Sequence, residues 1–293
     1  VHRQGASWIE HIRPMLEDHT FQSHFRMDYP SFKFLYGLLR PNLNHDVEMA
    51  NLPNGVVAGE WVLTSTLRWL SGGSYFEMMD GPTTAKSTAY SMLNRTLEAN
   101  NSCPDLAIVW LDDDRLEHIA AGFRACRRPG IMDRCTGVVD GLFIRIHKPR
   151  AREHPAPARF YSGYKKGSVL NLQVTSKRLV EHTTRKYLHY PFTNDRTAWN
   201  MSNVNSKAEL PDGYYIIGDS ASPPSDHLLA IPGNLSLPHE DAFNFYSQAR
   251  IDVEQAFGIL VMTWGILLKP LRVSLHNTGK ICPCLHESAQ LQP

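Results

Sequence analysis

The spacing of apolar residues changes near Gly130, and this change constrains the fold more than any other feature of the sequence. Before it, apolar residues recur at helical spacing, as in "SWIEHIRPMLEDH" and "SFKFLYGLLR". After it, "CTGVVDGLFIRIHK" is a continuous apolar run, and "SVLNLQVT" alternates apolar and polar residues with the period of a half-buried strand. The pattern predicts an all-α region at 1–130 and an α/β domain at 131–293.

Within the first region, three predicted helices have the outline of a helix-turn-helix unit. The first spans about Glu60–Leu70, the second is short, at about Tyr75–Met79, and the third starts behind Thr83 or Thr84 as its N-cap. This outline is typical of DNA-binding units, although three-helix units are also common for purely structural reasons. On the polar face of the third helix, the basic candidates for DNA contact are Lys86 and Arg95.

Composition excludes several classes of protein. Hydrophobic residues make up 42% of the 293 residues, which is enough to build real cores. No stretch reaches the roughly 18 apolar residues of a membrane helix, and the first residues lack a signal-peptide core, so we expect a soluble intracellular protein. The five cysteines contain no CxxC pair, which argues against a disulfide framework and an ordinary zinc module.

One segment of the second region is strongly basic. Between Gly141 and Tyr190 eleven Lys and Arg residues stand against two acidic residues, whereas the rest of the chain has an excess of acidic residues. Charge runs are usually solvated faces, but a basic segment in an otherwise acidic protein is also typical of contact with a phosphate backbone. The candidates for DNA binding in this segment are Lys148, Arg150, Arg152, Arg159, Lys165 and Lys166.

Four acidic residues occupy places where an acid is awkward: Asp140 inside an apolar strand, Asp195 after a turn, Asp219 at the end of "YYII", and Glu254 on an amphipathic helix. Three have an ordinary alternative role: Asp195 as an N-cap, Asp219 as a turn residue, and Glu254 in an ion pair with Arg250. Asp140 has no such alternative. Because half-buried carboxylates repel one another unless a partner neutralises them, the set predicts a site for divalent metal ions.

Four blocks of the second region resemble a known family when they are taken in order: "TGVVDGLFIRIHKP", "YSGYKKGSVLNLQV", "YYIIGDSASP" and "NFYSQARIDVEQAFGIL". The upstream pieces "FRMDYPSFKFLYGLL" and "LRWLSGGSYFEMMD" also look like that family's helical N-terminal region. The family is that of the PIF/Harbinger-type transposases and Harbinger transposase-derived nucleases, which are members of the DDE superfamily.

This resemblance implies an RNase H-like catalytic domain, a mixed sheet with flanking helices, that cleaves DNA by a two-metal mechanism with Mg²⁺ or Mn²⁺. The family's metal-binding acids fall on Asp140, Asp195, Asp219 and Glu254, and Asp140, Asp219 and Glu254 correspond to its catalytic residues. The resemblance also implies DNA and a Myb-like helper protein as partners and a nuclear location. It leaves a cytoplasmic location and a homo-oligomer open.

The sequence also departs from the family pattern. Leu142 stands where the family usually has Thr, and the turn before Asp195 lacks the usual Gly and His. Val261 and Thr263 replace a usual Lys and Arg, and the end of the chain looks truncated or degraded. Retained acids in changed surroundings are typical of a decaying transposase copy. The alternative function is therefore a catalytically inactive, transposase-derived protein that binds DNA or another partner.

Overall fold

The computed structural model of the chain describes residues 7–43, 56–106, 113–125, 133–176, 185–189, 210–218, 225–230, 251 and 254–290. The chain forms two compact units. The first contains Val1–Ala107, Leu260–Lys269 and Val273–Pro293, and the second contains Ile108–Ile259 and Pro270–Arg272. In the part of the chain that is described, no helix has the length and apolar character needed to span a membrane.

The first unit is helical. In chain order, the α-helices of the described residues are α1 (Trp8–Glu17), α2 (Phe21–Phe25), α3 (Tyr29–Leu43), α4 (Gly59–Leu70), α5 (Tyr75–Asp80), α6 (Lys86–Ser102), α7 (Asp113–Ala125), α8 (254–263) and α9 (Leu275–Gln290). Of these, α7 and the part of α8 up to Ile259 belong to the second unit.

The core of the first unit forms where the apolar faces of its helices meet. Leu63 of α4, Leu93 of α6 and Leu285 of α9 are buried in one cluster, together with Trp264. Burying a leucine side chain stabilises a fold by about 1.5–3 kcal/mol, so this cluster holds α9 against helices that precede it by well over a hundred residues.

The three helices predicted between residues 60 and 96 are present as α4, α5 and α6. The buried residues of α6 include Ala89, Met92, Leu93 and Thr96, as the apolar spacing predicts. The short helix α5 begins with a capping box. In it, the Ser74 hydroxyl accepts from the Glu77 N–H at 3.3 Å, and the Glu77 carboxylate accepts from the Ser74 N–H at 2.9 Å.

The prediction that Thr83 or Thr84 caps α6 is wrong. Ala85 stands at the N-cap position and makes no side-chain capping bond. Thr83 has a left-handed backbone with φ of 48°, and the Thr84 N–H donates to the Met79 carbonyl at 3.0 Å. Both threonines therefore close the turn after α5, and α6 starts only beyond them.

The second unit is built on a mixed sheet; the change of periodicity predicts strands here, and the family resemblance implies that the sheet is mixed. Its strands are β1 (Cys135–Arg145), β2 (Tyr161–Ser162), β3 (Gly167–Ser176), β4 (Arg185–His189), β5 (Tyr215–Gly218) and β6 (Leu228–Ala230). Strand β1 pairs antiparallel with β3 and parallel with β5, β3 pairs antiparallel with β2 and β4, and β5 pairs parallel with β6. The strand order is β2-β3-β1-β5-β6, with β4 pairing with β3 off this path, so β1 lies in the middle of the sheet.

Helix α7 covers one face of the sheet near β1. Leu116 of α7 packs in a cluster with Val139 of β1 and Ile216 of β5. At the rim of this contact the Glu117 carboxylate accepts from the Tyr214 hydroxyl at 2.6 Å, and this hydrogen bond, followed by one from Arg124, lowers the pKa of Glu117. Successive residues of a strand point to opposite faces of the sheet. Val139 points towards α7, so Asp140, the next residue, points to the other face.

Candidate functional site

Asp140 lies in the middle of the central strand, as predicted. It follows the buried residues Val138 and Val139, is itself half-buried, and pairs across the sheet with Val174 of β3. Its Oδ1 accepts from the Gly141 N–H at 2.8 Å. A carboxylate here terminates no helix and closes no turn, and alternation along β1 puts it on the face opposite α7.

The parallel strand beside β1 leads towards a second predicted acid. Ile217 of β5 pairs with Val138, and Gly218 is the last residue of the strand. The next residue in the chain is Asp219, which lies outside the described residues, as does Asp195. Glu254 is exposed at the first residue of 254–263 in α8.

The four-carboxylate metal site stays a prediction. Within the described ranges, no three or more His, Cys, Asp or Glu side chains are grouped in a way that could hold a metal ion. Two of the four predicted ligands are outside those ranges. Carboxylate oxygens are the ligands that Mg²⁺ prefers, so Asp140 and Glu254 have the right chemistry for the implied ions.

The predicted DNA-binding side chains of the basic segment are exposed. After β1 the chain passes through a short 3-10 helix, Pro157–Phe160, and enters the hairpin formed by β2 and β3. Every predicted DNA-binding residue here has an exposed side chain, and none takes part in a salt bridge with another described residue: Lys148, Arg150, Arg152, Arg159, Lys165 and Lys166. Arg145, at the end of β1, is exposed as well.

Two tyrosines of this hairpin were not singled out from the sequence. Tyr161 and Tyr164 are exposed to 59% and 86%, next to the two predicted lysines. The signal that could have found them is the alternation of aromatic, glycine and lysine residues in "YSGYKKG".

The polar face of α6 differs from its prediction. Lys86 is exposed, but Arg95 is only half-buried rather than open to solvent, and its burial lowers the pKa of the guanidinium. Helix α9 packs against α6 and places Asn277 Nδ2 2.7 Å from Asn94 Oδ1, so part of the polar face of α6 is covered. The expectation that Arg95 lies on an exposed face is therefore wrong, whereas Lys86 keeps the predicted exposure.

Comparison with known protein families gives a match for the second half of the chain. Residues 139–286, just over half of the chain, match the family described as DDE superfamily endonuclease. No curated protein and no solved structure matches the chain. The matched range starts one residue before Asp140 and extends beyond Glu254, so it includes both of the described candidate acids. The chain belongs to the DDE superfamily endonuclease family.

Proposed function

We propose that this protein is a divalent-metal-dependent DNA endonuclease of the PIF/Harbinger transposase type. Asp140, Asp219 and Glu254 are its catalytic acids, and Asp195 is a fourth metal ligand. The observation that carries the proposal is Asp140, a half-buried carboxylate in the middle of the central strand of a chain that belongs to a DDE endonuclease family. Carboxylate oxygens are the ligands that divalent metal ions of this kind prefer, so a carboxylate in that position can hold such an ion.

The sheet order supports the RNase H-like architecture that the resemblance implies. Strand β1 has an antiparallel neighbour, β3, on one side and a parallel neighbour, β5, on the other. The strand that bears the first acid is thereby surrounded on both edges, which holds its backbone rigidly. A rigid scaffold is what a metal site needs in order to keep its ligands in place.

The strand register supports the pairing of the first two acids. Val138 pairs with Ile217, Asp140 is two residues beyond Val138, and Asp219 is two residues beyond Ile217. Neighbouring strands lie about 4.8 Å apart and consecutive Cα atoms about 3.8 Å apart. If the parallel ladder continues by two residues, Asp219 comes beside Asp140, so two carboxylates converge at one edge of the site.

The residues of the chain have separate tasks in the proposed reaction. Bound Mg²⁺ or Mn²⁺ ions would activate a water or a 3′-hydroxyl and stabilise the leaving oxygen of the phosphodiester. The carboxylates of Asp140, Asp219 and Glu254 hold these ions. The exposed lysines and arginines of the basic segment bind neighbouring phosphates and keep the DNA in register.

A nicking assay tests the proposal. Supercoiled plasmid is incubated with the full chain and Mg²⁺ or Mn²⁺, and the wild type is compared with Asp140→Asn, Asp219→Asn and a matched control, Asp226→Asn. Asn keeps the Oδ1 that accepts from the Gly141 N–H, so the first variant should fold. Asp226 is an exposed aspartate of the same unit.

We expect nicking to fall at least about a hundred-fold in the first two variants and to stay unchanged in the control, because a lost metal ligand removes stabilisation of the transition state. Equal rates in all four proteins would contradict the catalytic proposal.

The alternative proposal is an inactive, transposase-derived protein that binds DNA. It is favoured by the changed residues around the acids, such as Val261 and Thr263 on α8. Binding of DNA without metal-dependent nicking would support it. For either function we propose the nucleus as the location and a Myb-like protein as the helper in DNA recognition.

A further inference from the structure

The hairpin of β2 and β3 ends in a defined turn, and binding of DNA phosphates alone does not explain why the turn has this conformation. Tyr161–Ser162 pairs with 167–168, and residues 163–166 form a four-residue turn at the tip. The turn is held by the buried Ser162 hydroxyl, which accepts from the Lys165 N–H at 3.2 Å. Lys166 has a left-handed backbone with φ of 49°, which costs a non-glycine residue about 1 kcal/mol or more.

In this turn, one face of the Tyr164 ring lies against the ammonium group of Lys165. Lys165 Nζ lies 4.9 Å from the centre of the Tyr164 ring and 5.6 Å from the centre of the Phe143 ring of β1. These distances are within the range of cation–π attraction. The side chain of Tyr164 is nevertheless 86% exposed. An aromatic ring at this exposure stabilises the fold little, so packing does not explain its presence.

The surroundings of Tyr164 match those of an aromatic platform for unpaired bases. Such platforms combine aromatic side chains, on which bases stack, with a basic surface that follows the backbone. Here exposed Tyr161 and Tyr164 precede exposed Lys165 and Lys166 in the same hairpin, and exposed Arg145 ends the adjacent strand. The positive charge of this surface complements the negative charge of a phosphate backbone.

From these contacts we propose that Tyr164 stacks on an unpaired base of the DNA, with Lys165 and Lys166 binding the adjacent phosphates. This inference rests on DNA being the substrate class of the proposed function. Asp140 pairs with Val174, and β3 runs seven residues from Val174 back to Gly167 at the base of the tip, so about 23 Å of sheet separates the two sites at about 3.3 Å per residue. Tyr164 is therefore a binding residue, and its loss acts on DNA affinity and not on the chemical step.

The test is binding of the full chain to a fluorescein-labelled single-stranded oligonucleotide by fluorescence anisotropy, in EDTA so that no cleavage occurs. A second oligonucleotide carries 2-aminopurine, whose fluorescence is quenched by stacking. The variants are Tyr164→Ala, Tyr164→Phe and a matched control, Phe76→Ala, which removes a 77% exposed aromatic ring from the first unit.

We expect Tyr164→Ala to weaken single-strand binding about ten-fold and to abolish the quenching. Tyr164→Phe and Phe76→Ala should stay within about two-fold of the wild type. If the wild type binds the single strand and Tyr164→Ala binds it equally well, the stacking proposal is wrong while the nuclease proposal stands. If Tyr164-dependent binding is present but the chain never nicks DNA with Mg²⁺ or Mn²⁺, the nuclease proposal fails and the stacking proposal stands. If the wild type binds no DNA, both are wrong.

Discussion

Two regions of this protein contain basic residues that the sequence predicts to contact DNA, and these residues differ in their exposure to solvent. In the first unit, α9 partly covers the polar face of α6, and Arg95 of the same helix is half-buried. In the second unit, the hairpin of β2 and β3 leaves both Lys165 and Lys166 exposed. A helix face can be covered by any later segment that packs against it, whereas a hairpin tip extends beyond its sheet. The hairpin is therefore the better candidate for contact with DNA.

The covering of α6 can be tested through the packing of α9. Leu285 is 1% exposed within the core cluster of the first unit, so Leu285→Ala should lower the free energy of unfolding by about 3 kcal/mol. The matched control is Leu268→Ala, at 58% exposure, which should change it by less than about 0.5 kcal/mol. Urea unfolding followed by circular dichroism measures both. Equal values for the two variants would mean that α9 does not belong to this core.

The accessible charge of the hairpin predicts a salt-dependent effect on binding. Lys165→Gln combined with Lys166→Gln should weaken duplex DNA binding about ten- to a hundred-fold near 0.1 M salt, because two phosphate contacts are lost. The slope of log K against log salt concentration should become shallower by about two.

The control for that measurement removes two exposed lysines elsewhere, Lys33→Gln with Lys269→Gln, and so makes the same change in net charge. It should stay within about two-fold of the wild type. An equal loss in both double variants would show that net charge alone drives binding, and the contrast between hairpin and helix would disappear.

The smallest effect is expected at Arg95. Nε and Nη1 of its guanidinium are buried and have no hydrogen-bond partner among the described residues. Arg95→Met keeps the apolar stem and removes this charge, so we expect DNA affinity within about two-fold of the wild type and unfolding free energy unchanged or raised by up to about 1 kcal/mol. Anisotropy and urea unfolding measure the two quantities. A ten-fold loss of affinity would return α6 to the DNA-binding surface.

Local patterns predicted the secondary structure closely. The helix expected at about Glu60–Leu70 is Gly59–Leu70, and the one expected at about Tyr75–Met79 is Tyr75–Asp80. The N-cap of α6 was missed because Thr83 and Thr84 have side chains suited to capping, while their use in closing the preceding turn depends on backbone angles. The period of apolar residues can be read from residues that are close in the chain. The position of the N-cap depends in addition on the backbone angles of the turn before the helix.

The sequence predicted which residue types form the candidate site, but it predicted their positions in the fold only in part. The strand position of Asp140 follows from the apolar run around it, and the structure has it there. Which strands lie beside β1 could not be predicted from the local sequence, because β5 pairs with β1 across about eighty residues of chain. The exposure of Tyr164 was missed because a tyrosine in a polar stretch packs inward or outward depending on contacts that distant segments supply.

By itself the sequence determined where helices give way to strands, which segment is basic, and which acid lies inside a strand, since each depends on residues close together in the chain. Only the tertiary structure decided that α9 partly covers the polar face of α6, that β1 lies between β3 and β5, and that the side chains at the hairpin tip are exposed to solvent. The physical reason is that an apolar pattern states how much surface a segment must bury but not which partner buries it.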